Sequence, residues 1–113
     1  KMMIQIGDAR YPITLNDNAT VQALMDKLPL MIEMEELNRN EKYYYFPDSL
    51  PSDSRRVGSI KAGAVMLYGS DCLVIFYKGF ATSYKYTPVG RIDNPAGLAQ
   101  ALGRGSVEVT FSN

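Results

Sequence analysis

Apolar positions are densest in residues 57–77, VGSIKAGAVMLYGSDCLVIFY. Two short runs, residues 64–68 and 72–77, are joined by Gly69-Ser70-Asp71. Each run is rich in β-branched or aromatic residues and is closed by turn formers, the pattern of strands buried on both faces. A three-residue connection containing glycine suits a hairpin. This hairpin is expected to form the centre of the domain.

Upstream, residues 2–6 (MMIQI) and 10–15 (RYPITL) read as two strands around Gly7-Asp8-Ala9. Ile4 and Ile6 share one parity, and Tyr11, Ile13 and Leu15 share another, as half-buried strands require. Pro12 cannot donate to a ladder, which places the second strand at an edge or a bulge. Asn16-Asp17-Asn18 then supplies capping chemistry. Val21, Leu24, Met25 and Leu28 follow at the spacing of one helical face, and Pro29 stops the helix. Residues 30–34 are assigned to a strand, with the acidic positions beyond them at a solvated edge. Glu33, Glu35 and Glu36 are conceivable as a carboxylate pair, but charge runs are usually solvated faces.

Residues 38–42 read as a polar loop leading into Tyr43-Tyr44-Tyr45-Phe46-Pro47. Neighbours on a strand face opposite sides, so two of these aromatics should pack in the core and two should face solvent, a partner or a pocket. Residues 48–56 (DSLPSDSRR) form an exposed loop. Past the central hairpin, residues 80–86 alternate as a strand, Thr87-Pro88 interrupts, and residues 89–92 resume. Asn94 and Pro95 open a second helix as its cap and first position. Leu98, Ala101 and Leu102 make its buried stripe, and Gly103 provides a left-handed C-terminal cap. Val107, Val109 and Phe111 alternate with Glu108 and Thr110 in a closing strand.

The sum is eight or nine short strands with two short helices, which favours a mainly β domain closed or nearly closed into a barrel over residues 1–113. Closure removes edges that so apolar a chain could not leave bare, and the helices would cap the barrel ends.

Composition narrows the chemistry by exclusion. Twelve basic and twelve acidic residues balance, so nothing argues for electrostatic capture of nucleic acid. There is no histidine, which removes Ser-His, Cys-His and imidazole-metal sites. No metal and no cofactor are expected. The one cysteine, Cys72, sits in an apolar run and reads as a small buried hydrophobe. No stretch approaches the roughly 18 apolar residues of a membrane span. The chain starts at Lys1 rather than Met, and a secretory or lipoprotein leader could have been among residues upstream. Cysteine poverty fits a cytoplasmic or an exported location equally.

The aromatics crowd the middle of the chain. Tyrosine offers a rigid face and one hydroxyl, and it recurs at binding surfaces because few torsions are lost on contact. The segments at 43–46 and 84–86 are the best candidates for lining a groove. Arg91, beside Gly90 at a strand end, could anchor a carboxylate or a peptide carbonyl, or simply pair with Asp93. Tyr68 and Ser70 lie at the rim of the central turn. The candidate ligand-binding set is therefore Tyr44, Phe46, Tyr68, Ser70, Tyr84, Tyr86 and Arg91, with aromatic packing in the barrel wall as the plainer alternative.

A family resemblance rests on specific residues: Gly58, Ile60, Ala62-Gly63, Met66-Leu67-Tyr68-Gly69, residues 72–78, Thr82-Ser83-Tyr84, residues 86–92 and residues 95–103, with NEKYYYFPDSLP upstream. Nearly the whole chain is covered, and the pattern resembles the bacterial cyclophilin-like domain family. The resemblance implies a cyclophilin-like β-barrel with helices over its ends. The family commonly carries an acidic residue where this chain has Ala64. The resemblance also brings prolyl isomerisation into view, but none of the motifs around the isomerases' arginine occurs here, and a shared fold does not transfer activity.

Three functions follow as expectations. The first is a non-enzymatic module binding a peptide or small ligand in an aromatic groove. The second is a weak peptidyl-prolyl isomerase, which needs an arginine facing an apolar pocket but no histidine, because the reaction has no covalent step. The third is a structural module of a larger secreted or envelope protein.

Overall fold

The computed structural model describes residues 2–113. The chain opens with the expected hairpin, β1 (Met2–Ile6) and β2 (Ala9–Leu15). β2 is not an edge strand, because it pairs with β1 on one side and with β10 (Lys85–Ile92) on the other. Pro12 is tolerated because the β10 ladder ends at the Ile92–Ile13 pair, and beyond it the Asp93 amide donates to the Pro12 carbonyl at 3.1 Å.

Helix α1 (Ala19–Met25) starts where Asn18 Oδ1 accepts from the Val21 amide at 2.9 Å. It buries Thr20, Val21 and Leu24 and ends at Met25, a turn earlier than expected, while Met25 and Leu28 still pack against the core. β3 (Leu30–Leu37) runs through Glu35 and Glu36 rather than stopping at residue 34. The presumed polar loop shrinks accordingly. Asn38 and Arg39, both at φ 58°, turn the chain tightly into β4 (Glu41–Tyr45).

Residues 48–56 are less loose than their composition implies. Leu50 is buried, its amide donates to the Ser70 carbonyl at 2.7 Å, and β5 (Arg55–Arg56) pairs with the start of β10. β6 (Ser59–Ile60) pairs with β9 (Phe80–Ala81) as a separate ribbon. Between them lies the central hairpin, β7 (Ala64–Tyr68) and β8 (Cys72–Phe76), turned at Gly69 with φ +61°. Every residue of β8 is buried, as a strand covered on both faces must be.

β10 is one strand where two were expected around Thr87-Pro88. Pro88 is accommodated because it falls between the two partners on one side: β5 ends opposite Tyr86 and β2 begins opposite Gly90. On the other side the register against β7 shifts between Pro88 and Gly90, a bulge that absorbs the irregularity. Helix α2 (Leu98–Leu102) starts after Gly97, later than expected. Asn94 accepts from the Ala96 amide and so caps a turn before the helix rather than the helix itself. β11 (Val107–Ser112) closes the chain.

Eight strands form a closed antiparallel barrel in the order β2-β1-β11-β3-β4-β8-β7-β10, with β10 returning to β2. α1 follows the end of β2 and α2 follows the end of β10. These neighbouring strands are antiparallel, so the two helices lie at opposite ends of the barrel. The interior is packed with Met2, Ile4, Ile13, Met34, Leu67, Leu73, Ile75, Ile92 and Phe111, joined by Val21 and Leu24 of α1 and Leu98 and Leu102 of α2. A second apolar cluster, Ile60, Ala64, Cys72, Val74, Phe76 and Tyr86, lies on the outer side of β7 and β8. This outer layer supports the candidate site.

Candidate functional site: a tyrosine cleft on the outside of the barrel

Strand alternation sorts the aromatic run of β4. Tyr44 and Phe46 pack into the barrel core, edge to face at 5.2 Å between ring centroids. Tyr43 and Tyr45 point outwards, also edge to face, at 5.7 Å. The same parity carries Glu41 to the outer side and Lys42 to the inner one. On β8, Cys72 lies opposite Tyr45 and Val74 opposite Tyr43; on β7, Tyr68 lies opposite Cys72. Tyr86 follows on β10, and Tyr84 just before it.

These positions enclose a cleft of about 320 Å³. Cys72 and Val74 form its floor. Glu41, Tyr43 and Tyr45 of β4, with Leu37, make one wall, and Tyr68, Tyr84 and Tyr86 make the other. The second wall is braced by ring contacts, Tyr68–Tyr84 at 6.0 Å, Tyr68–Tyr86 at 5.6 Å and Tyr86–Phe76 at 5.5 Å. Large apolar side chains left in water are otherwise scarce. Five are exposed among the described residues, and four of them, Leu37, Tyr45, Tyr68 and Tyr84, border this cleft.

The polar groups of the cleft are unusual for their environment. Glu41 is 8% exposed, and no hydrogen-bond donor or cation among the described residues partners it. Burial, reinforced by the charge of Glu36, pushes its carboxyl above the ordinary range. Burial first, then the nearby Glu41 charge, pushes the Tyr86 hydroxyl up to about 12. Burial likewise pushes the Cys72 thiol up to about 11, so the group stays a protonated thiol and offers no nucleophile.

Lys42, on the inner side of the same strand, does not answer Glu41. It is fully buried, and its Nζ donates to the Gly103 carbonyl at 2.9 Å, to the Gly105 carbonyl and to Glu36 Oε1 at 2.9 Å. Glu36 also accepts from the Tyr77 hydroxyl at 2.7 Å and from the Arg39 amide. Burial would raise the Glu36 carboxyl, yet these donors hold it below the ordinary range. The acidic positions of β3 thus have separate fates. Glu33 and Glu35 stand exposed on the opposite face from Glu36, so the three do not converge on one site.

Of the residues singled out from sequence, Tyr68, Tyr84 and Tyr86 meet in the cleft. Tyr44 and Phe46 lie across the sheet in the barrel core. Ser70 stands in the β7–β8 turn, its hydroxyl 3.2 Å from that of Ser49. Arg91 faces a different cleft, of about 430 Å³, together with Thr14, Met66 and Pro88. Asp93 accepts from the Thr14 hydroxyl and does not pair with Arg91. The segment 43–46 was expected to line a groove, but the pair chosen from it was the inward one, and the parity of the run would have picked Tyr43 and Tyr45 once Phe46 was fixed as core. Glu41 carried no such signal, because residues 38–42 read as loop. A third, larger cleft of about 770 Å³ beside α2 counts Arg39, Lys78 and Arg104 among its lining residues.

The profile of the cyclophilin-like family matches residues 4–112. No curated protein and no solved structure matches the chain.

Proposed function

The chain belongs to the cyclophilin-like family, and from that premise we propose that it is a binding module that takes a peptide or small ligand in the tyrosine cleft. One observation carries the reading: four of the five exposed large apolar side chains among the described residues border this one concavity. A soluble barrel gains nothing in stability from holding them in water, whereas pre-ordered rings lose little entropy when a ligand covers them. The cleft's thiol is protonated and no histidine exists in the chain, so neither a Cys-His nor a Ser-His arrangement is available there. No arginine lines it, so the arrangement required for prolyl isomerisation is not met there.

The test is a mixed library of short peptides and fragments followed by protein NMR. Binders should move the ring signals of Tyr45, Tyr68 and Tyr84 together, and the double variant Tyr45→Ala/Tyr84→Ala should abolish those shifts. Binders that move only residues beside Arg91 or Arg104 would sink the reading. An isomerisation assay on an X-Pro peptide should stay at the uncatalysed rate, and acceleration by the wild-type chain would replace the proposal with the enzymatic one.

A further inference from the structure

We propose that the ligand group seated in the cleft is a methylated ammonium, held between the tyrosine walls with its charge facing Glu41. The inference rests on the binding reading above and narrows it to one chemistry. Three observations carry it.

First, Glu41 is more than nine-tenths buried, and neither a donor nor a cation answers it. Its carboxylate oxygens keep contact with the solvent of the cleft, yet the burial around them disfavours the charge, so an incoming cation would gain by meeting it. The surrounding cations are all committed elsewhere or outside the cleft. Lys42 points into the barrel and is held by Glu36 and two carbonyls. Arg55, opposite Tyr86 in the ladder, pairs with Asp53 at 3.3 Å and does not line the cleft. Among the lining residues none is a cation, so Glu41 in its charged form is answered only by a positive charge that the ligand brings.

Second, the walls are rings. Tyr43, Tyr45, Tyr68, Tyr84 and Tyr86 line the cleft, and an aromatic face attracts a cation, most strongly where water is excluded. Third, the cleft offers one carboxylate and otherwise phenolic oxygens, each of which also carries a donor. A guanidinium brings five N–H donors and a primary ammonium three, and each must find an acceptor to be held there. An ammonium whose hydrogens are replaced by methyl groups makes no such demand. Its spread charge suits aromatic faces, and a volume of about 320 Å³ holds such a head group with part of its chain.

The source is either a free small molecule or a methylated lysine side chain on a peptide. Titrations monitored by NMR of the tyrosine rings separate them. The probes are choline, its neutral carbon analogue 3,3-dimethylbutan-1-ol, and a short peptide bearing trimethyllysine beside the same peptide with norleucine in its place. The expected result is saturable binding of choline or of the trimethyllysine peptide, at least about tenfold tighter than its neutral counterpart. Glu41→Gln should remove most of that preference while leaving the weak binding of the neutral probe unchanged. Tyr84→Leu, at an exposed position, provides a second variant whose fold is not in question and should weaken both cationic probes. Equal affinity for charged and neutral probes, or a preference that survives Glu41→Gln, would overturn the ammonium assignment while leaving a cleft that binds apolar groups. No binding of any of the four probes would also overturn it, and the library screen would then decide the broader reading separately.

Discussion

Two adjacent residues of β4 hold opposite charges in opposite circumstances. Lys42 is buried and fully satisfied by the protein, whereas Glu41 is nearly as buried, has no protein partner and opens onto the solvent of the cleft. Lys42→Ala removes one partner of an internal ion pair and orphans two carbonyls, so it should cost about 3 kcal/mol in urea unfolding. A loss below about 1 kcal/mol would mean that water replaces the ammonium readily. Glu41→Gln should act in the other direction and stabilise the ligand-free protein at neutral pH. Neither behaviour was legible in the sequence, where both residues read as one polar loop. Residue type reports an average preference for solvent, and here the turn at Asn38-Arg39 carries the strand two residues earlier than the polar composition suggests. The tyrosines were easier to read, because alternation alone sends one pair inwards and the other out. What alternation could not fix was which pair goes where, and the candidates Tyr44 and Phe46 therefore sit on the core side of the strand.

At the scale of elements, barrel closure depends on the seam between β2 and β10. Gly90 makes that seam possible, since a Cβ there would stand 2.6 Å from the Thr14 carbonyl and 3.1 Å from the Ile13 side chain. Gly90→Ala should therefore cost roughly 1–3 kcal/mol by forcing the strands apart. Amide exchange should localise the damage to β2 and β10. Uniform loss of protection across the barrel, or none, would contradict this assignment. By contrast Tyr84→Ala removes an exposed ring and should stay within about 0.5 kcal/mol of the parent chain. The barrel strands were readable from periodicity and α1 from its Asn18 cap, because those signals act over a few residues, whereas the two-residue strand β5 and the true start of α2 were not. Pro12 and Pro88 misled, because a proline's cost depends on whether a neighbouring strand needs its missing N–H. Both prolines fall where the ladder on one side has already ended, a fact that only the assembled barrel supplies.

For the whole molecule, Glu36 and Glu41 set opposing limits on stability against pH. The Glu36 carboxyl lies below the ordinary value of 4.5, so its contribution is complete above that value and fades as pH falls through the folded one. The Glu41 carboxyl lies above 4.5, so the folded state is favoured while it stays protonated and loses ground as pH rises through the window above 4.5. From these two groups stability should peak near the ordinary glutamate value. Thermal unfolding across pH should show Glu36→Gln flattening the acid side and Glu41→Gln the side above the peak. A profile unchanged by Glu41→Gln would remove the case for a buried unpaired charge. The alternation along β4 has one more consequence, and it concerns how such a protein can change over time. Positions 42 and 44 answer to the interior, whereas 41, 43 and 45 answer only to the outer cleft. Descent can therefore rewrite what the cleft recognises through alternate residues of one strand while the barrel beneath it stays intact.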